Sequence, residues 1–351
     1  LREISDDLFL FEKNIFFKSL SATKGILTKG PIQEDIYFSG KMQKWIGENY
    51  KNYNLIFCET LRTVRYVQDL NIPKVVDLIE SLSLKYSGAK KYANLFWKAI
   101  YKIELPRIEK SEEEIVKKFD KVFISSTFDK NYLEKKIGHK LDNLIVLPNG
   151  VKEELFHFPP STFYSPEKNW ISFFGKMDYQ PNEDAVIFFA KEVMPLINSN
   201  KRVKDKIKFY IIGMNPTNKV KKLEKDKNIK ITGFLENPYP LLSKSKLIVI
   251  PLRFGAGIQN KILEAMALGK TVVTSKVGAR GIKEGEPGKH FEVIDSFNPK
   301  IWAEKIIEPL SNSEKREEIG KEARKLVEES YRWEKIGNKL LKEIEEVFKA
   351  S

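Results

Sequence analysis

The run Gly255-Ala256-Gly257-Ile258, with Lys261 and Glu264 behind it, holds residue types suited to gripping a nucleotide. Two glycines and an alanine leave a turn nearly bare of side chains, so a phosphate can come close to its backbone. A helix beginning near Ile258 adds unpaired first-turn N–H groups and the positive end of its dipole. Lys261 on the first turn brings a cation. Glu264, one turn deeper, brings a carboxylate able to hold a diol such as a ribose. These residues need a strand to lead into the turn and a helix to leave it. Leu247 to Leu252 is a short apolar, β-branched run and reads as a buried strand, with Pro251 where it leaves the sheet. Ile262, Leu263, Met266 and Ala267 form the apolar stripe of the helix, and Gly269 ends it. A plain packed βα unit would share the strand and the stripe, but here glycines, Lys and Glu all fall in one register.

Two further places carry chemistry. Trp170 to Phe174 reads as a strand, and Gly175-Lys176 forms the βα turn after it, where a doubly wound fold places ligand phosphates. Asn182 is placed to cap the helix that follows, and Gly278-Ala279-Arg280-Gly281 could border the phosphates, although a plain loop is the simpler reading. Pro73 to Ile79 is another strand, ending in Glu80-Ser81. Ligands of parallel sheets sit beyond the carboxyl ends of strands, so Asp77 and Glu80 are candidates for an acceptor-side or catalytic-base role. The plain alternative is a helix cap, which Ser81 alone would supply.

The elements alternate at βαβ lengths. Strands are expected at 54–59, 73–79, 121–125 and 144–147, then at 170–174, 208–212, 229–232, 247–252, 271–275 and 290–294, with helices between. The fold class is therefore α/β with two Rossmann-like, parallel-sheet domains. The first spans 1–150, a linker 151–169, the second 170–330 and a final helix 331–351. Leu8–Phe11 and Ile15–Phe17 fit strand or helix equally. The chain opens without Met and without a glycine-rich βα turn, so the first domain is expected to lack its first strands.

At 351 residues, two domains each have room for a core. Hydrophobic content of 42% and charged content of 31% fit a soluble globular protein, and no apolar run reaches bilayer length. The single cysteine, Cys58, rules out an internal disulfide framework and suits a reducing cytoplasm. His139, His157 and His290 lie far apart, with no metal-ligand spacing. The net charge of +13 fits a lysine-rich solvated surface, or attraction to anionic membrane or phosphorylated ligands, and no nucleic-acid motif accompanies it.

The string G-x-G-I-Q-N-K-x-L-E-A-M-A-x-G after P-L-R resembles the donor-nucleotide motif of GT-B glycosyltransferases of family 4, and most of all their bacterial exopolysaccharide and cell-surface subgroup. L-P-N-G-V at 147–151 is similar to that family's hinge, and Y-x-W-E at 331–334 to the start of the helix that crosses back to brace the first domain. The resemblance implies a GT-B fold, two Rossmann-like domains facing a cleft. It implies transfer of a sugar from a nucleotide-diphosphate donor to a glycan or lipid-linked acceptor, by a retaining route. Glu264 inherits the ribose contact. Gly255, Gly257, Ile258 and Lys261 inherit the diphosphate, joined by Gly175 and Lys176, and the backbone near Gly233-Phe234 the base. Asp77 and Glu80 stand where other members carry a histidine near the sugar. Two departures stand out: Ala256 replaces a glutamate that touches the sugar, and Asn182 replaces a second lysine, shifting charge to Lys261 or Arg253. No cofactor and no metal are expected; there is no D-x-D of the metal-dependent GT-A class.

One segment suggests a location. Around 90–103, Leu95, Phe96, Ala99, Ile100 and Ile103 fall at helical spacing, with Lys90, Lys91, Lys98 and Lys102 beside them and Tyr92, Trp97 and Tyr101 between. This suits a helix on an anionic lipid surface, though a helix packed on its own domain has the same stripe. The chain is thus expected in the cytoplasm, peripheral on the inner face of the membrane. Rival readings are a GT-B sugar-nucleotide epimerase, which would want histidine and acidic residues in the cleft, and a nucleotide-sugar-binding subunit without turnover. A nicotinamide dehydrogenase is poorer, since G-A-G-I-Q-N lacks the third glycine.

Overall fold

The computed structural model describes residues 5–11, 30–158, 169–203 and 205–350. The expected element at Ile15–Phe17 and the Pro-rich stretch after Phe158 lie outside them. The chain forms two compact units, 1–147 with 340–351, and 148–339.

The first unit holds a parallel sheet in the order β1 (Ile56–Glu59), β2 (Lys74–Asp77), β3 (Lys121–Ile124), β4 (Leu144–Val146). Val75, Val76, Val122, Phe123 and Ile124 are buried, as expected of central strands covered on both faces. Cys58 is buried here too, and desolvation pushes its thiol up to about 11, so it is an unreactive core residue. Between β1 and β2 the helical segment is a single turn, Leu61–Val64, followed by further turns. The expected helix around 90–103 is broken. Leu82–Tyr92 ends before Ala93, and Leu95–Lys118 starts afresh with Asn94 Oδ1 accepting from the Trp97 N–H at 3.0 Å. The second helix then runs through Pro106.

The second unit holds six parallel strands in the order β10-β9-β8-β5-β6-β7, with β5 Trp170–Phe174, β6 Lys208–Ile212, β7 Ile229–Gly233, β8 Leu247–Ile250, β9 Val272–Ser275 and β10 Glu292–Ile294. Every residue of β5, β8 and β9 is buried. The chain order reverses between β5 and β8, where a doubly wound sheet leaves a crevice beyond its strand ends. Both Gly175 and the 255–258 turn lie at those ends.

The segment after β4 is pinned within the second unit. The Val151 N–H donates to Tyr331 O at 2.9 Å, and a Cβ on Gly150 would lie 2.7 Å from the Trp333 indole. The last helix, Trp333–Ala350, begins there. Its residues from Leu340 onward group with the first unit, where Lys121 pairs with Glu343 at 2.7 Å and Glu346 at 2.9 Å.

Candidate functional site

Two strand ends meet at the crevice as bare backbone. Gly175 (φ +143°) follows β5 and Gly213 (φ +149°) follows β6, and Gly175 N–H donates to Ile212 O at 3.0 Å. A Cβ on Gly213 would fall 1.8 Å from the Gly175 carbonyl oxygen, so no side chain fits. A Cβ on Gly175 would meet Asn182 Nδ2 at 2.8 Å and Lys261 Nζ at 3.3 Å. Lys261 therefore reaches from its helix, Asn260–Ala267, to the first βα turn, as the shared register of the two motifs requires.

The Lys261 ammonium donates to Asn182 Oδ1 and lies 4.9 Å from the centroid of the Phe173 ring. Burial pushes its pKa down to about 7, against the pull of Glu264. An arriving phosphate would restore its charge. Asn182 differs from its expected role. The helix Gln180–Phe188 starts earlier, so Asn182 sits inside its first turn, buried. Its amide bridges two site residues instead, with Nδ2 donating to Lys176 O at 2.8 Å and Oδ1 accepting from Lys261. Lys176 itself is more than half exposed and pairs with Asp178 at 3.5 Å. Arg253 lies elsewhere: it pairs with Asp184 at 3.2 Å and stacks on Phe188 and Phe297.

Glu264, one turn along from Lys261, is hydrogen-bonded to the Tyr239 hydroxyl, and burial raises its pKa while Tyr239, Lys152 and Lys261 oppose that. Tyr239 is a neighbour of Glu264 that the sequence did not point to; its only signal was its place shortly after the Gly233-Phe234 turn. That turn borders a hollow of about 230 Å³ with Gly175, Ile212, Gly213, Met214 and Pro238. Its walls are mostly apolar and Phe234 is exposed there, which suits a flat heterocycle.

The end of β8 and the turn at 255–258 are held by their carbonyls. Ser275 Oγ donates to Leu252 O at 2.5 Å, Arg280 Nη2 to Gly255 O at 2.5 Å and Gln259 Nε2 to Ala256 O at 3.1 Å. The loop after β9 is thus more than a connection. Gln259 stands at the N-cap of the helix and makes no side-chain cap to it.

Asp77 and Glu80 belong to the first unit and the donor-type residues to the second. Asp77 Oδ1 accepts from the Ile79 N–H at 2.8 Å, and burial, helped by Glu59, pushes its pKa up to about 6. Glu80 is raised by burial and pairs with Lys85 at 2.5 Å. Ser81 caps the Leu82–Tyr92 helix. Thr60 (φ +65°) and Ile79 (φ +67°) stand just past β1 and β2 in left-handed conformations that β-branched residues rarely adopt. Beneath them Asp129 Oδ2 accepts from the Ser81 N–H at 2.9 Å, and buried Glu112 from Ser81 Oγ at 3.1 Å. Among the described residues no three His, Cys, Asp or Glu side chains gather as metal ligands.

Comparison with known proteins gives this geometry a family context. Residues 168–312 match the family model for glycosyl transferases group 1. Spore coat protein SA of Bacillus subtilis is 41% identical over 80 residues, 22% of this chain and 21% of that protein. The poly(ribitol-phosphate) alpha-N-acetylglucosaminyltransferase of Staphylococcus aureus is 26% identical over 207 residues, 57% of this chain and 39% of that enzyme. The chain thus spans well under half the length of these two relatives. Among solved structures, Anabaena HepE in complex with UDP aligns with a TM-score of 0.66 at 14% identity, covering 87% of this chain and 82% of that one. The chain has the GT-B fold, and residues 168–312, within its second unit, are similar to the group 1 glycosyl transferases.

Proposed function

We propose that the chain transfers a sugar from a nucleotide-diphosphate donor to a glycan or lipid-linked acceptor in bacterial surface or exopolysaccharide synthesis. One observation carries this: Lys261 reaches the bare backbone at Gly175, where the strand order reverses, with Glu264 one turn along the same helix and held by Tyr239. Glu264, steadied by Tyr239, takes the ribose hydroxyls, and the hollow beside Phe234 takes the base. The 255–258 turn, Lys261 and Lys176 take the diphosphate. The structure of HepE with UDP supports this choice of ligand class.

In the reaction the bond from the anomeric carbon to the diphosphate oxygen breaks, and its electron pair stays on that oxygen. The acceptor hydroxyl forms the new bond and loses its proton. The charge developing on the leaving diphosphate is met by fixed turn dipoles and by Lys261, so the reading asks for no metal. Asp77 or Glu80 is the candidate for the acceptor-side carboxylate; the raised pKa of Asp77, about 6, suits a proton acceptor close to neutral pH. Retention of anomeric configuration follows the family resemblance.

The same reading puts the enzyme on the inner face of the cytoplasmic membrane. Leu95 is 86% exposed and Phe96 67%, at the start of the helix Leu95–Lys118. Trp97 and Ile103 are exposed as well, beside Lys98 and Lys102. That exposure favours the lipid reading of these turns over a helix packed on its own domain, with an apolar tip beside lysines that anionic lipid would accept. Among the described residues no helix is long and apolar enough to cross a membrane.

The test is turnover. Intact protein is screened against UDP-, GDP- and ADP-sugars with glycan and lipid-linked acceptors, without added metal, beside Glu264→Ala. Release of one nucleoside diphosphate that depends on acceptor and on Glu264 supports the reading. Binding without release over the whole panel favours a non-catalytic subunit, and interconversion of the sugar nucleotide favours an epimerase.

A further inference from the structure

In a trans peptide the carbonyl oxygen of one residue and the N–H of the next point in opposite directions. Whatever holds a carbonyl therefore aims the following amide. At Gly255 the holder is Arg280, whose Nη2 donates to Gly255 O at 2.5 Å and so directs the Ala256 N–H the other way. Gln259 Nε2 holds Ala256 O at 3.1 Å and directs the Gly257 N–H. The next carbonyl, of Gly257, lies against Gly281, where an added Cβ would come within 2.6 Å of it and within 2.8 Å of Ile258 Cα. Three successive carbonyls are thus committed to neighbouring groups, two of which stand together in the loop after β9.

That loop is itself fixed. Ser275 Oγ accepts from the Gly278 N–H at 3.2 Å while donating to Leu252 O, so one hydroxyl ties the end of β9 to the end of β8. Arg280 closes the short helix Lys276–Ala279, with its own N–H on Lys276 O at 3.1 Å. Gly278 is required here as well, since a Cβ would meet Thr274 Oγ1 at 2.1 Å. A guanidinium suits the task, because its planar fork keeps one donor on a carbonyl with little freedom left to lose.

We propose that Arg280 is the positioning residue of the diphosphate turn, its guanidinium setting the Gly255 peptide so that the turn's amides face the donor phosphates. Gly281 is its necessary neighbour, giving the loop room to lie on the turn. This rests on the donor reading above. It differs from the roles of Lys261 and Glu264, because Arg280 acts through the backbone it holds.

The experiment is calorimetric titration of the full-length chain and its Arg280→Ala and Arg280→Lys variants with UDP, GDP and ADP, each beside its own nucleoside, with melting curves of all three proteins. For the nucleotide that binds, Arg280→Ala should lose about tenfold or more in diphosphate affinity, the scale of one charged hydrogen bond, and keep nucleoside affinity within about twofold. Arg280→Lys should recover part of the loss. Glu264→Ala should weaken nucleoside and diphosphate together. Unchanged diphosphate affinity in Arg280→Ala overturns the positioning role and leaves the donor reading standing. An equal loss for nucleoside and diphosphate makes Arg280 a general structural residue and also overturns it. If the unaltered chain binds none of the three diphosphates, the donor reading and this inference fall together.

Discussion

Lys261 is the residue whose chemistry should change most if the proposed nucleotide binds. Its pKa of about 7 lies far below the unfolded value of 10.5, because burial takes the ammonium out of water and the pull of Glu264 offsets this only in part. Between these values the unfolded chain holds a proton there that the folded chain lacks, so this residue's contribution to stability rises with pH from about 7 to about 10.5. Lys261→Met should flatten that part of the melting-temperature profile relative to the parent. A bound diphosphate reverses the balance and pulls the pKa up. Nucleotide binding at pH 8 should therefore take up protons, read as a dependence of binding heat on buffer ionisation enthalpy. That dependence should shrink in Lys261→Met. The residue types of this site were plain in the sequence, since Lys261 and Glu264 follow a bare turn at helical spacing. Their partners were not. Asn182 and Tyr239 reach them from other elements, and contacts between elements leave no local pattern.

At the scale of elements, the site depends on backbones that touch. Gly213→Ala would drive a methyl into the Gly175 carbonyl. It should destabilise the second unit by about 2–4 kcal/mol and lower nucleotide affinity, measured by denaturant unfolding and titration. Gly138→Ala, which also has positive φ but open space around its Cβ, separates conformational strain from steric clash and should cost less. The ten strands among the described residues were foreseeable, because buried parallel strands read as short apolar runs between turn residues. The helices were less so. The stripe through Leu95 and Ile103 looked continuous with the residues before it, yet Asn94 competes for the backbone and caps a new helix. Likewise Asn182 looked like a cap by type, but the helix had already begun at Gln180. The carbonyl-holding role of Arg280 was invisible, since a loop residue that bonds backbone a strand away has no periodicity to betray it.

For the molecule as a whole, the question is where each unit meets its ligand. The exposed Leu95 and Phe96 belong to the first unit and the proposed nucleotide residues to the second, so the proposed lipid and nucleotide contacts should separate by mutation. Leu95→Glu with Phe96→Glu should abolish co-sedimentation with phosphatidylglycerol vesicles and leave the melting temperature and nucleotide affinity unchanged. Binding to neutral phosphatidylcholine vesicles should be weak in every form, given the net charge of +13. Retained binding to the anionic vesicles would place the contact elsewhere. The central claim concerns the second unit, and the most direct measurement is thermal shift of the intact chain with UDP, GDP and ADP, beside Glu264→Ala. One nucleotide should stabilise the parent strongly and the variant hardly at all. A folded parent stabilised by none of them, or a variant stabilised as much as the parent, would contradict it.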